Sequence, residues 1–358
     1  MSDPSRRPAL LRRGAPWLLV LAMLPLPLYL DGSWLIIGIL GMAAALGAIG
    51  LTVLTGTSGQ LSLAHAFFLA VGAYGYAFLA GEPDEGLAHT GLGLPPLLAA
   101  VLAVLLAGLA GLAFSPVAAR VKGLYLGIAS LALVFIGEHV LRNAESLTGG
   151  FNGRSVPALS IGGFELTGRE PELVVLGVPF GERERLWYVA IVALVVGVLL
   201  ARRVVDGRPG RALRLMRDNA AAAASMGVEV RRHQASVFVF SSLFAGAAGV
   251  LSALAFQYIV PQYFTLLLSV TYLAMVVIGG LGSVAGAVAG GFFVTGLPLV
   301  LEKFSGSMGF LAEPGSGGLD ATMLARIVFG LAIVLVIILE PGGLAALGRR
   351  LRVPLRRP

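Results

Sequence analysis

The sequence predicts an all-α integral membrane protein with about ten transmembrane helices, arranged as two inverted five-helix repeats. Three observations carry this expectation. Of 358 residues, 57% are hydrophobic and 13% charged, whereas soluble domains average about 25% charged. Apolar stretches approaching the length that crosses the hydrocarbon, about 20 residues, recur along the chain. Most of the 26 cations fall in four segments, the positive-inside pattern of cytoplasmic flanks.

Those segments hold Arg6, Arg7, Arg12 and Arg13; Arg120 with Lys122; the arginines from Arg202 to Arg232; and Arg349, Arg350, Arg352, Arg356 and Arg357. The net charge of +7 therefore reports orientation in a lipid bilayer, not a nucleic-acid partner.

The apolar stretches are 17–30, 33–54, 60–80, 92–115, 123–141, 186–201, 235–257, 264–281, 284–301 and 323–340. Ten crossings put both termini, the 116–122 turn and the 202–234 loop on the cytoplasmic side. The 82–91, 142–185 and 302–322 connections then lie outside. The chain divides into a basic cytoplasmic N-terminus (1–16), a polytopic domain (17–340) and a basic cytoplasmic tail (341–358). The first stretch is short and carries Pro25 and Pro27. A basic flank before such a run also fits a signal peptide, although no clear small-residue cleavage site follows. A five-helix unit repeated in tandem must invert, a common transporter design.

What is missing narrows the chemistry. There are no cysteines, which excludes disulfides, thiolate metal sites and cysteine nucleophiles. Glu138 stands four residues before Arg142, an ion pair near the outer interface. No other carboxylate falls mid-span, so the relay of a proton-driven pump is absent. Lys122 and Lys303 are the only lysines, and neither sits in a GxxxxGK[ST] phosphate loop. If nucleotide drives the chain, a partner supplies the ATPase. His65, His139 and the scattered serines form no base–nucleophile arrangement at helical spacing. No catalytic residue, metal site or cofactor is expected in this chain.

Small residues recur at helical spacing at Gly282, Gly286 and Gly290, and at Ala245, Gly249 and Ala253. They serve packing within the chain, or a surface for a second membrane subunit or a sliding helix. Ser58, Ser62, His65, Leu69, Gly72 and Tyr76 share one face of the third stretch, with Gln60 just after the Gly56–Gly59 break. An amide or imidazole turned to lipid is costly, so these groups point into the protein. Gly59, Gln60, Ser62 and His65 are the candidates for a translocation path, or for a hydrogen-bonded clasp that shapes the break.

In the 207–234 segment Pro209 suits a first helical turn, the alanine run favours helix and Gly227 suits a left-handed cap. Arg211, Arg214 and Arg217 recur every three residues as a basic ridge. Leu213, Met216, Ala220, Ala223 and Ala224 make the other side apolar. Such a helix either lies solvated at the lipid headgroups or docks in a partner's groove.

Several strings, taken together, resemble one family. Gly210-Arg-Ala-Leu-Arg-Leu-Met-Arg-Asp-Asn, five alanines and Ser-Met-Gly227-Val is similar to the coupling loop of branched-chain amino acid ABC transporter permeases of the LivM type. Gly56-Thr-Ser-Gly-Gln-Leu-Ser-Leu-Ala-His65 resembles that family's glycine-interrupted third span. Lys122-Gly-Leu-Tyr-Leu-Gly-Ile-Ala-Ser with Ser146-Leu-Thr-Gly-Gly-Phe-Asn-Gly153 resembles its fifth span and outer loop, and Val277-Ile-Gly-Gly-Leu-Gly-Ser-Val-Ala-Gly-Ala its ninth.

The resemblance covers about residues 35–340. It implies a permease subunit of an importer, with two cytoplasmic ABC ATPase subunits, a homologous second permease and an extracytoplasmic solute-binding protein. ATP and magnesium would be held by the ATPases. The coupling residues implied are Arg211, Arg214, Arg217, Asp218, Asn219 and Gly227. Two positions depart from the family. Alanines 220–224 run where a Glu is common, and Ala64 stands where glycine commonly precedes the histidine. The rival from another class is a stand-alone, ion-coupled secondary transporter, and an intramembrane enzyme ranks last.

Overall fold

The computed structural model describes residues 20–83, 90–121, 123–168, 171–175, 178–304 and 342–350, with scattered residues of 323–338. In chain order the first helices are α1 (Gly32–Leu51), α2 (His65–Ala80), α3 (Pro96–Arg120), α4 (Leu124–Asn143) and α5 (Glu182–Asp206). Two short helices follow, α6 (Arg208–Asp218) and α7 (Ala220–Ser225). Then come α8 (Val230–Phe256), α9 (Leu266–Gly279), α10 (Val284–Phe304) and α11 (Gly343–Arg350). A π-helical turn, Thr52–Thr57, extends α1.

Among the described residues, six helices are long and apolar enough to cross a membrane: α1 with its π-turn, α3, α4, α5, α8 and α10. Shorter apolar helices α2 and α9 occupy the third and eighth stretches. Described residues of the tenth are helical. The first stretch differs from expectation. Residues 20–23 are helical, but the chain then turns through a 3-10 helix at Leu26–Leu28. Proline removes a backbone donor and clashes with the preceding turn, so Pro25 and Pro27 stop the helix there. The 1–16 segment, residues 305–322 and the arginines from Arg352 onward lie outside the described residues.

Helices α1 and α8 form the centre. Their apolar windows are 78% and 72% buried, against 28–39% for α3, α4, α5 and α10, whose outer faces present leucine, valine and isoleucine to lipid. The packing repeats itself. Helix α8 lies against α3 as α1 lies against α10, and α2 contacts α3 as α9 contacts α10. The break between α1 and α2 lies beside α6, and the break between α8 and α9 beside strand 154–155 at the other end.

The glycine stripes are used within the chain. A Cβ on Gly249 would stand 2.1 Å from the Leu69 carbonyl oxygen, and one on Gly72 2.2 Å from that of Gly246. At these points α2 and α8 touch backbone to backbone, the close approach that drives helix association in lipid. Gly286 and Gly290 pack as tightly on α9, against Gly279 and Met275.

One end of the bundle carries α6, α7 and α11. The opposite end is roofed by the described residues of 144–181, with strand pairs 160–161 with 164–165 and 173–175 with 178–180. Strand 154–155 pairs with 258–259, which ties this roof to the α8–α9 break. Arg154 is buried there and donates to the carbonyls of Leu147 (2.6 Å) and Thr90 (3.2 Å); burial lowers its pKa. Arg185 binds the carbonyls of Glu165, Phe180 and Pro171. Glu138 and Arg142 pair as expected, with the guanidinium over Phe151. At the same end Lys303 closes α10 onto Asp31, the N-cap of α1, at 2.9 Å. That hydrogen bond holds the Asp31 carboxyl below its ordinary range.

Candidate coupling and translocation site

The third stretch is not one helix. Helix α1 widens into the π-turn, and the chain leaves helical geometry at Gly59, whose φ of +74° L side chains rarely adopt. Residues 60–64 run without helix until α2 starts at His65. Ser58 and Ser62 therefore do not share a helical face with His65, which corrects the expected stripe. Ser58 returns its hydroxyl to the Leu54 carbonyl at 2.6 Å.

A helix start leaves backbone donors open, and Ala64 has no side chain to cap them. Hydroxyls from other elements do so instead. Ser130 of α4 accepts from Leu63 N (2.8 Å), Ser269 of α9 from Ala66 N (2.9 Å), and Ser62 from Ala64 N (3.3 Å). Both Ser130 and Ser269 are fully enclosed. Ser269→Ala leaves a buried N–H unpaired and is expected to cost about 1–3 kcal/mol. Ser130→Ala, which frees a part-buried one, is expected to cost about 1 kcal/mol. Thermal unfolding in detergent checks this, with Ser236→Ala, an exposed hydroxyl, as the neutral reference.

The π-turn meets the α9–α10 turn through glycine. A Cβ on Gly56 would stand 2.1 Å from Gly282 N, and Gly282 N donates to Thr52 Oγ1 at 3.1 Å. Arg217 of α6 reaches the same turn. Its Nη1 donates to the Gly56 carbonyl at 2.8 Å, and its stem lies where a Cβ on Gly59 would go. Gly343 of α11 closes on Gly280. Ends of α1, α9, α10 and α11 thus meet at one glycine node, and Arg217 connects α6 to it.

The basic ridge divides. Arg211 is exposed, whereas Arg214 donates to the Val205 carbonyl at 3.0 Å and Arg217 to Gly56. Leu213 and Met216 are buried, so α6 lies firmly on the bundle. The expected single helix is two. Asn219, extended at φ −156°, ends α6 and caps α7 by accepting from Ala221 N and Ala222 N at 3.0 Å each. Asp218 pairs with Arg217 at 3.2 Å. Gly227 takes its left-handed conformation at φ +84°, beside Met226, which is 74% exposed.

Deeper in the bundle His65 packs its ring on Tyr272, centres 4.7 Å apart. The imidazole hydrogen-bonds the Gly47 backbone, while Nε2 stays unpaired. Gln60 is buried with neither amide atom paired, and the Thr57 hydroxyl is unpaired too. Beside Tyr272 opens a cavity of about 630 Å³, walled by Leu40 and Ala44 of α1, Leu69 of α2, Thr271 and Met275 of α9 and Thr295 of α10.

The sequence matches the family described as branched-chain amino acid transport system / permease component over residues 34–337. The chain belongs to that family. It is 32% identical to the permease protein LivM of the high-affinity branched-chain amino acid transport system of Escherichia coli K12, over 74% of this chain and 63% of that protein. LivM of Salmonella typhimurium LT2 is 33% identical over 66% of this chain and 56% of its own length. LivH of the same organism is 27% identical over 87% of this chain and 92% of its own. The match therefore spans less than two thirds of either LivM protein. No solved structure gives a significant match.

Within this permease the predicted candidates fall into two groups. Gly59, Arg214, Arg217, Asp218 and Asn219 gather around α6 and the π-turn. Gln60 and His65 are buried with unpaired polar atoms. Thr52, Ser130, Ser269 and Tyr272 escaped the sequence reading, because each acts on a residue far away in the chain. The apolar tip at Met226 was readable from Met-Gly after the alanine run.

Proposed function

We propose that this chain is the membrane-spanning permease subunit of an ATP-driven importer for branched-chain or other small neutral amino acids. It forms half of the translocation path, beside a homologous second permease. Two cytoplasmic ABC ATPases dock on α6 and α7, holding ATP and magnesium, and an extracytoplasmic solute-binding protein docks on the 144–181 roof. The bundle end carrying α6 faces the cytoplasm with both termini, and the membrane is the cell's plasma or inner membrane. The observation that carries this reading is the Arg217–Gly56 hydrogen bond, which joins a surface helix to the interrupted span of a permease.

On this reading α6 and α7 divide their work. Arg214 is half-buried on the Val205 carbonyl, while Arg217 bonds Gly56 and stays exposed, so contact with an ATPase falls to Arg211, Arg217, the exposed alanines of α7 and Met226. Alanine at 220–224 makes that contact apolar where relatives of the resembled family carry an acid. Purifying the chain from its native membrane in mild detergent and identifying its companions tests the assignment. Two P-loop ATPases and a second permease are expected. Isolation of the chain alone, under conditions that keep known ABC complexes intact, contradicts it.

A further inference from the structure

The cavity beside Tyr272 is half open, and five helices, α1, α2, α8, α9 and α10, line it together with the α8–α9 break. Tyr263 and Phe264 of the break line one end, and Ala44, Met275 and Val294 line it deeper in the bundle. The walls are aliphatic and aromatic, with the hydroxyl-bearing Ser252, Tyr263, Thr271, Tyr272 and Thr295 among them and no carboxylate or cation. Such a lining accepts an uncharged aliphatic side chain and rejects a charged one, which would lie there unpaired.

One helical turn away from the lining, polar groups pack on Tyr272. Ala44 and Leu69 line it; Gly47 and His65, the next turn along, meet the far side of Tyr272. His65 Nε2 and both amide atoms of Gln60 are buried without partners. Unpaired buried polar groups are rare and call for an occupant or a role. A lipid tail gains nothing from them, whereas the ammonium and carboxylate of an amino acid do.

We propose that this cavity is a transit site for the aliphatic side chain of a neutral amino acid, with Tyr272 and His65 as its floor and Gln60 on the onward route. The inference rests on the importer reading and adds the site within this chain. The test uses the complete transporter in proteoliposomes, with radiolabelled leucine, glycine and phenylalanine. Ala44→Phe fills the cavity and is expected to lower leucine uptake about tenfold while glycine uptake falls much less. Ala113→Phe, in a separate apolar cleft between α2, α3 and α4, is expected to leave the leucine-to-glycine ratio unchanged.

Leu40→Ala enlarges the cavity and is expected to raise phenylalanine uptake relative to leucine, a gain that misfolding cannot produce. Unchanged selectivity in both Ala44→Phe and Leu40→Ala, the behaviour of a lipid-filled cleft, overturns the proposal. So does an equal selectivity shift in Ala113→Phe. Wild-type vesicles without ATP-driven amino acid uptake would instead fail the importer reading, so the two failures are separable.

Discussion

Arg217→Ala separates ATP hydrolysis from transport. In the reconstituted complex, hydrolysis is expected to persist while solute uptake falls about tenfold, equivalent to about 1.4 kcal/mol of lost coupling. The reason is local. Arg217 is the side chain by which α6 holds the Gly56 carbonyl, and its stem fills the space over Gly59. A π-turn is rare inside an α-helix and recurs at functional sites, and Thr52–Thr57 is such a turn. Removing the arginine leaves α6 seated by Leu213, Met216 and Arg214 but disconnects it from the node. Arg217→Lys restores charge without the guanidinium's planar donors and is expected to recover only part of the uptake. Parallel loss of hydrolysis and uptake in Arg217→Ala would mean that the residue serves docking and not transmission.

Gly249→Val unfolds the protein or prevents its assembly. Its first added atom would sit 2.1 Å from a backbone oxygen of α2, and two helices in direct backbone contact cannot yield by rotating a side chain. Overpacking costs about 1–3 kcal/mol and occasionally more, and contact with backbone places this substitution at or above the upper end. Gly330→Val, with open space around its Cα, is the control. Loss of the monodisperse detergent peak and of thermal unfolding is expected for the first and not the second. A Gly249→Val protein as stable as its parent would mean that α2 and α8 do not cross at this point.

Much of the bundle was legible because span length and the positive-inside bias are properties of contiguous sequence. The interrupted third span was legible only in part. Residues 58–65 fit a helical period, and Gly59 marked a break without fixing its length. The length is set by Ser130 and Ser269, 67 and 203 residues away from the amides they cap, which no local pattern displays. The arginine ridge is similar. Its spacing is real, but Val205 and Gly56 decide which members bond back to the bundle. Asn219 carried a local signal, an amide side chain immediately before an alanine run, and it marks a second helix start that the continuous helical reading passed over. His65 and Gln60 were placed inside from the cost of exposing them to lipid, and burial agrees; the Tyr272 partner came only with tertiary packing.

Solute uptake by the purified chain and its membrane companions in liposomes tests the central claim most directly. With ATPases facing added ATP and the binding protein loaded with leucine, accumulation is expected to require ATP and to be indifferent to dissipated ion gradients. Accumulation by this chain alone, on a sodium or proton gradient and without nucleotide, would contradict the claim and make it a self-sufficient carrier.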